Sequence, residues 1–197
     1  MKELLEKGII TWYPWEGKNY QDLMIVGESH YQNSDRDKVE QENPNYQIKW
    51  GKSEGKQNVQ FYKKMTHMVK GHQNTQELFD EVAQMNLIQK PMSAISKRPK
   101  QTDYKKGVEA LFAVTGKLKP SKVIVFSKGA KKAFDAHRGE EFKRLTFKQN
   151  KIENNIAPIR YTDLKNNREY LLVAHPSRMN KLDKWHAFID QFVKDTL

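Results

Sequence analysis

Four short apolar runs recur at wide intervals along the chain, and each has the length of a buried β-strand. They are "LMIV" at residues 23–26, "MNLI" at 85–88, "VIVF" at 123–126 and "YLLVA" at 170–174. Helix-like stretches lie at 58–70, 103–118 and 183–194, and a shorter helix is predicted to begin near Lys128. Strands that alternate with helices predict an α/β fold, with a parallel sheet covered on both faces.

Two polar segments interrupt this alternation. Residues 32–57 are rich in Asn, Gln and Gly and are too long for an ordinary connection, so they predict either a mobile lid or a disordered insert. Residues 137–169 mix charge with short apolar pieces such as "IAPIRY" and predict an additional hairpin. A chain of 197 residues suits one domain, so we predict a single domain over 1–197 with 32–57 as a polar insert.

The charge of the chain is strongly positive and unevenly distributed. Lys and Arg number 35 against 24 Asp and Glu, which gives a formal net charge of +11. Residues 90–160 hold 18 basic and 6 acidic side chains, spread through "KRPKQTDYKK", "KLKPSK" and "KGAKK". This spread indicates a basic face on a folded surface and favours a polyanionic partner, either nucleic acid or an acidic membrane surface. The alternative is a lysine-rich soluble protein without such a partner.

The residues that are missing narrow the chemistry. The chain has no cysteine, which excludes disulfides, Cys-ligated zinc and iron–sulfur clusters. The amino-terminal residues "MKELLEKGIITWYPWEG" lack the apolar core of a signal peptide, and no stretch approaches the ~18 apolar residues of a membrane span. We therefore expect a soluble, cytoplasmic protein with no membrane partner. We also expect it to be a monomer.

Polar residues lie at or after three of the four predicted strands. "GESHY" follows the first strand, Asn86 lies in the second, and the fourth leads into His175, which precedes Pro176. Singly, these are an ordinary turn, a structural amide and a loop histidine. In a parallel sheet, however, all three project from the same edge, which is where α/β proteins place ligands.

Together these segments resemble the motifs of the uracil-DNA glycosylase superfamily. The resemblance rests on "GESHY", on Asn86, on "LKPSKVIVFSKGAKKAF" around the third strand and on "HPSRMN" after the fourth, in the same order and at similar spacing. It covers most of the chain, from about residue 12 to residue 194, apart from the loop after His30 and the 137–169 segment. "HPS" after a strand is its most specific part.

The resemblance implies a fold and an activity. The fold would be a three-layer α/β/α arrangement around a central four-stranded parallel sheet. The protein would be a DNA glycosylase that flips uracil or another altered pyrimidine out of DNA and hydrolyses its N-glycosidic bond, with no metal or cofactor. Because the iron–sulfur branches of the superfamily need cysteines, this chain resembles a divergent, cluster-free member.

The resemblance also implies roles in a base pocket. Asn86 would hydrogen-bond the edge of the flipped base, and His175 would donate to the pyrimidine oxygen on which negative charge grows as the bond breaks. Gly27 belongs to the turn that walls the pocket and positions the hydrolytic water. Tyr31 would exclude a bulky 5-substituent, and Phe61 would stack on the base.

Further residues would contact DNA outside the pocket. Ser177 would bind a phosphate, and Met179 would be the apolar wedge that fills the gap left by the flipped base. Arg178 stands where a proline is common in this loop and would suit a narrow, negative minor groove. Lys128 belongs to the basic surface that would bind the DNA backbone.

The first motif departs from the best-known branch of the superfamily. That branch has an Asp as the third residue, where it orients water or stabilises the sugar cation, and this chain has Ser29. Glu28 is the nearest carboxylate. His30 has no counterpart and could bind water, contact phosphate or cap the loop.

Two alternatives to a glycosylase therefore stay open. One is a non-catalytic DNA-binding protein of the same fold that recognises a flipped or modified base. The other is a small-molecule α/β hydrolase or nucleotide-binding protein. The sequence argues against this alternative, because it has no phosphate loop, no G-x-S-x-G elbow and no dinucleotide fingerprint.

Overall fold

A computed structural model describes residues 1–31, 59–92, 98–137, 139–145, 152 and 157–195. The helices in these ranges are α1 (Lys2–Glu6), α2 (Val59–Lys70), α3 (Thr75–Glu81), α4 (Gln101–Leu118), α5 (Lys131–Asp135) and α6 (Leu182–Lys194). The strands are β1 (Trp15–Glu16), β2 (Leu23–Gly27), β3 (His30–Tyr31), β4 (Val82–Asn86), β5 (Pro91–Met92), β6 (Lys122–Val125), β7 (Phe142–Leu145), β8 (Ile159–Asp163) and β9 (Arg168–Leu172). Single 3₁₀ turns at Lys128–Ala130 and Pro176–Arg178 follow β6 and β9. The predicted polar insert at 32–57 lies outside the described residues.

Seven strands form one mixed sheet in the order β1-β4-β2-β6-β9-β8-β7. The strands β4, β2, β6 and β9 run parallel to one another, while β1 pairs antiparallel with β4, and β8 and β7 extend the other side in antiparallel fashion. The prediction of a four-stranded parallel sheet is therefore wrong for the sheet as a whole. The extension arises because β8 turns back into β9 and pairs with it along its length, and because the additional hairpin predicted in 137–169 joins the same sheet as β7 and β8.

Helices cover both faces of this sheet, as the sequence predicted. Alternate residues of each central strand point to opposite faces. In β2, Met24 and Val26 belong to a core shared with α1, α4 and α5. Leu23 and Ile25 belong to a second core shared with α2, α3 and α6. The α/β class with two buried faces is confirmed.

The strand β4 begins three residues earlier than the apolar run at 85–88 predicts. Its middle residue is Gln84, which is polar although it is buried, so the apolar pattern hides the start of the strand. The shift makes Asn86 the last residue of β4, opposite Gly27 in the neighbouring strand. The polar groups of the first two parallel strands are therefore side by side at the carboxyl edge of the sheet.

The order of the parallel strands locates the crevice of the fold. The chain passes from β2 outward to β4, and then returns to the opposite side of β2 to form β6. In open α/β sheets, ligands bind outside the carboxyl ends of the two strands at which the order reverses. Here those ends lead into Glu28 and Ser29 after β2 and into Ser127 and Lys128 after β6.

Candidate functional site

Glu28 is held at this crevice by hydroxyl groups from two other segments. Its Oε1 accepts a hydrogen bond of 2.8 Å from Tyr104 Oη in α4 and one of 2.6 Å from Ser127 Oγ after β6. Two donors on one oxygen fix the direction of the carboxylate. Its second oxygen has no hydrogen bond within the described part of the chain, so it is available to a ligand or water.

Tyr104 reaches Glu28 because Gly129 leaves room for its ring. A Cβ atom at Gly129 would lie 2.3 Å from Tyr104 Oη, closer than any side chain tolerates. The glycine therefore lets the 3₁₀ turn after β6 lie against the tyrosine. The sequence prediction missed both Tyr104 and Ser127, although the polar residue directly after the third apolar run was a usable signal for Ser127.

His175 follows β9 and is fixed by contacts on two sides. Its ring stacks on Phe61 of α2, with ring centroids 4.9 Å apart and planes 26° from parallel. Its Nδ1 accepts from the backbone N–H of Ser177 at 3.3 Å and lies 2.8 Å from Ser177 Oγ. Because a backbone N–H can only donate, Nδ1 is the unprotonated nitrogen, and the ring proton is on Nε2.

The surroundings of His175 also keep the imidazole uncharged. Burial is the main cause that lowers its pKa below the ordinary value of 6.5. The negative charge of Glu28 opposes this shift, while Arg178 and Arg98 add to it. At neutral pH the histidine is therefore a neutral donor through Nε2.

Asn86 is half-buried beside Gly27, and the absence of a side chain at Gly27 makes room for it. A Cβ atom at Gly27 would lie 2.4 Å from Asn86 Oδ1. The side-chain amide of Asn86 forms no hydrogen bond with any described residue, which leaves it available to a ligand. The strand end is anchored instead through the backbone, because Gln89 Nε2 donates to the Asn86 carbonyl at 2.7 Å.

The other residues of the "GESHY" segment are Ser29, His30 and Tyr31. Ser29 has a buried hydroxyl that meets no hydrogen-bond partner among the described residues. The backbone of His30 and Tyr31 forms β3, which pairs in parallel with β5. The side chains of these two residues lie outside what the structure describes, so their roles stay predictions.

Met179 corrects the prediction of an apolar wedge. Its side chain is fully buried, in the core that α2 and α6 share. Its carbonyl oxygen accepts a hydrogen bond of 2.8 Å from Lys64 Nζ. A wedge must protrude from the surface to enter DNA, so the assignment of Met179 to that role is wrong. The 3₁₀ turn at Pro176–Arg178 directs the following residue inward.

The predicted DNA contacts that do lie at the surface are Ser177 and Arg178, both of which are exposed. The hydroxyl of Ser177 lies against His175, so this residue also positions the imidazole. Lys128 lies in the turn beside Ser127, where burial lowers its pKa. Arg178, Arg98 and Lys128 supply positive charge near the crevice.

The described residues contain no group of three or more His, Asp or Glu side chains that could bind a metal ion. Nor is any helix in the described ranges long and apolar enough to cross a membrane. The fold and the site define a doubly wound α/β protein whose crevice holds a neutral histidine, an unpaired amide and an oriented carboxylate. No protein-family model matches the chain, and a search of curated proteins finds no significant match.

Proposed function

We propose that this protein is a DNA glycosylase of the uracil-DNA glycosylase type, which hydrolyses the N-glycosidic bond of uracil or another altered pyrimidine. The observation that carries the proposal is the state of His175. A backbone N–H occupies Nδ1 and burial suppresses the charge, so a neutral Nε2–H is available at the carboxyl edge of the sheet. Such a donor stabilises the oxygen of a departing base as negative charge grows there, without giving up its own proton.

Asn86 supports a pyrimidine as the bound group. Its amide is unpaired and carries both a donor and an acceptor, which match the C4 oxygen and the N3–H of a 4-oxo pyrimidine. Phe61 stacks on His175, so it orients the imidazole, whereas the sequence predicted that it stacks on the base. In this proposal the Asn86 amide at the end of β4 and the Nε2–H of His175 after β9 bind the same base.

Glu28 supplies the negative charge that Ser29 cannot. Its Oε1 is occupied by Tyr104 and Ser127, and its other oxygen can accept from a water molecule or face the sugar as positive charge develops there. In the hydrolysis, the bond between C1′ and the pyrimidine nitrogen breaks and the base departs with the electron pair. Water adds its oxygen to C1′ and loses a proton, which passes through the solvent to the base anion, and the products are the free base and an abasic site.

The charge distribution supports DNA as the polymer that carries the base. The basic excess of the chain lies in residues 90–160, which include Arg98 and Lys128 next to the crevice. Contacts from such residues to phosphate oxygens give binding that weakens as salt rises. Arg178 is exposed on the turn that follows His175, where it could reach a groove.

A second candidate is a non-catalytic DNA-binding protein that recognises an extruded base. Two observations favour it. Ser29 is uncharged at the position where the best-known branch has an Asp, and Met179 is buried, so no apolar wedge stands at the expected position. Without a wedge, a base that is already unpaired is the easier target, because unstacking it costs less free energy.

The test is cleavage of labelled oligonucleotides that carry uracil opposite G, opposite A or in a single strand, followed by alkali treatment and separation on a gel. We expect breakage at the uracil, most readily in the single strand. His175→Ala, Asn86→Ala and Glu28→Gln should each lower the rate by roughly 10²-fold or more. The exposed residues Asn19 and Glu109 provide the matched controls Asn19→Ala and Glu109→Gln, which should cleave like the unchanged protein.

Binding measured beside cleavage separates the two candidates. If a panel of altered pyrimidines is bound in a salt-sensitive way but none is released, the non-catalytic candidate is the better one. If His175→Ala loses binding and rate equally, the role assigned to the imidazole is wrong.

A further inference from the structure

Tyr13 is an aromatic residue at the surface that the proposed reaction does not use. Among the residues whose side chains the structure describes, it is the one exposed aromatic, with 44% of its surface accessible. No hydrogen bond or ring contact joins it to another described residue. A single exposed aromatic is ordinary on a protein surface, so its significance depends on where it lies in the fold.

The pairing of β1 places Tyr13 at the carboxyl edge of the sheet. β1 runs antiparallel to β4, with Trp15 opposite Gln84. The residues that precede β1 therefore lie at the edge where β4 ends. Continued by two residues, the same register brings Tyr13 level with Asn86, because partners in an antiparallel pair advance in opposite directions.

Gln89 ties this segment to the end of β4. Its Oε1 accepts hydrogen bonds from the backbone N–H of Thr11 at 3.1 Å and of Trp12 at 3.3 Å. Its Nε2 donates to the carbonyl oxygen of Asn86 at 2.7 Å. One glutamine side chain thus spans the gap between the two backbones, so Tyr13 is held beside the proposed base site before any ligand binds.

Positive charge lies next to this tether. Lys90 follows Gln89 directly and is exposed, and its Nζ pairs with Asp103 Oδ1 at 2.6 Å. An ion pair of such an exposed lysine contributes little free energy, so the ammonium group can exchange the carboxylate for a phosphate oxygen. Aromatic rings on which bases stack, together with cations for the phosphates, are what proteins use to bind single-stranded nucleic acid.

We propose that Tyr13 stacks on the base of a nucleotide next to the one that enters the crevice, and that the protein thereby binds unpaired, single-stranded DNA. This rests on the proposed function, because the nucleotide in the crevice is its substrate. β1 neighbours β4 in the sheet, so Tyr13 lies about one strand spacing, roughly 5 Å, outward from Asn86. The faces of a paired base are covered by its neighbours in a duplex, whereas a base of a single strand can leave its stack for the tyrosine ring.

The first test measures binding without cleavage, from the fluorescence anisotropy of a labelled oligothymidylate. Tyr13→Ala should weaken binding roughly 5- to 150-fold, and Tyr13→Trp should restore it, since the larger ring also stacks. Neither change alters the charge, so the slope of log K against log salt should stay the same. Lys90→Gln should instead make that slope shallower by about 1.

Leu164→Ala is the matched control for the loss of an exposed apolar side chain. Leu164 is 57% exposed and lies in the turn between β8 and β9, at the edge of the sheet opposite the crevice. Its replacement should leave binding of the oligothymidylate unchanged.

The second test locates the contact along the DNA. Single strands carry one uracil with a 2′-fluoro sugar, because fluorine at C2′ opposes the positive charge that cleavage develops at C1′. In each strand one neighbouring nucleotide lacks its base. The unchanged protein should lose affinity when a particular neighbour of the uracil lacks its base, and Tyr13→Ala should lose nothing further at that position.

Three results would overturn the proposal. They are equal binding of the oligothymidylate by Tyr13→Ala and the unchanged protein, equal losses of both along the series of missing bases, and no binding of the single strand at all. In each case cleavage of uracil by the unchanged protein would leave the proposed function standing. If Tyr13 stacks as expected but no altered pyrimidine is released, the glycosylase proposal fails and the single-strand contact remains.

Discussion

His175 is kept neutral mainly by burial, and the backbone of its own turn fixes its tautomer. Ser177 donates to Nδ1 through its N–H, and its hydroxyl lies within hydrogen-bond distance of the same nitrogen. Protonation of Nδ1 would replace an acceptor by a donor and break the contact with the backbone N–H of Ser177. The imidazole is therefore oriented and uncharged before any ligand arrives, which is the state that the proposed chemistry needs.

The titration of His175 is the corresponding prediction. Because burial lowers its pKa in the folded protein, we expect ¹H–¹⁵N spectra to show a pKa below 6.5 and a proton on Nε2. The unfolded chain then binds the proton more readily, so the contribution of His175 to stability is present above pH 6.5 and decreases as the pH falls below it. Glycosylase activity should decline over the same acidic range.

Arg178→Gln sharpens this prediction. It removes a positive charge that lowers the pKa of His175, so this pKa should rise toward 6.5 while the backbone N–H of Ser177 keeps the Nε2 tautomer. His72→Ala, at a histidine outside the site, should leave the His175 titration unchanged. A pKa above 6.5 in the unchanged protein would contradict the assignment of a neutral donor.

The helix α4 joins the site to the rest of the fold through Tyr104 and Gly107. Its first turn carries Tyr104, which holds Glu28, and its next turn carries Gly107, which packs against the connection after β4. A Cβ at Gly107 would lie 2.4 Å from the carbonyl oxygen of Leu87, a backbone atom that cannot turn aside. This close approach fixes the helix against the strand that ends in Asn86.

Two substitutions within α4 test this contact. Gly107→Ala should reduce the free energy of unfolding by about 1–3 kcal/mol, because the added methyl group forces the helix away from Leu87. Gly116→Ala in the same helix should raise it by about 0.5–1 kcal/mol, since nothing lies within 4 Å of that position and alanine favours the helix. Urea unfolding measures both. Equal effects at the two positions would show that helix propensity alone is at work.

Opposite the crevice, at the amino ends of the parallel strands, a buried ion cluster ties the end of the chain to the sheet. Glu169 of β9 is fully buried and forms ion pairs with Lys122 of β6 and Arg160 of β8. Lys122 Nζ also donates to the carbonyl oxygen of Asp195 at 2.6 Å, directly after α6. Three strands and the last helix are thereby joined at one point far from the proposed chemistry.

Glu169→Gln should therefore destabilise the protein by about 3–5 kcal/mol, because it leaves the buried Lys122 without its carboxylate and removes one of the two carboxylates that pair with Arg160. Asp190→Asn is the control, since it removes an ion pair with Lys194 on the surface of α6 and should cost less than about 1 kcal/mol. Thermal unfolding compares the two. Below its melting temperature, Glu169→Gln should keep the cleavage rate of the unchanged protein, and a lost rate in a folded variant would show that the cluster reaches the site.

The sequence predicted most of the central elements and several members of the site. The four apolar runs all correspond to parallel strands, and α2, α4 and α6 begin within two residues of their predicted starts. The start of β4 was hidden because Gln84 is buried despite being polar. Tyr104 and Ser127 were missed because their partner Glu28 is 76 and 99 residues away along the chain, beyond the reach of any local pattern.

The amino-acid order alone established the α/β class, the basic region and the arrival of Asn86 and His175 at strand ends, because hydrophobic periodicity and strand direction are local properties of the chain. Packing decided the rest. Only the assembled sheet shows that the edges are antiparallel, that two hydroxyls fix Glu28 and that His175 is neutral. Met179 is the plainest case, since an apolar residue in a surface turn suits a wedge or a core equally well until the neighbouring helices are in place.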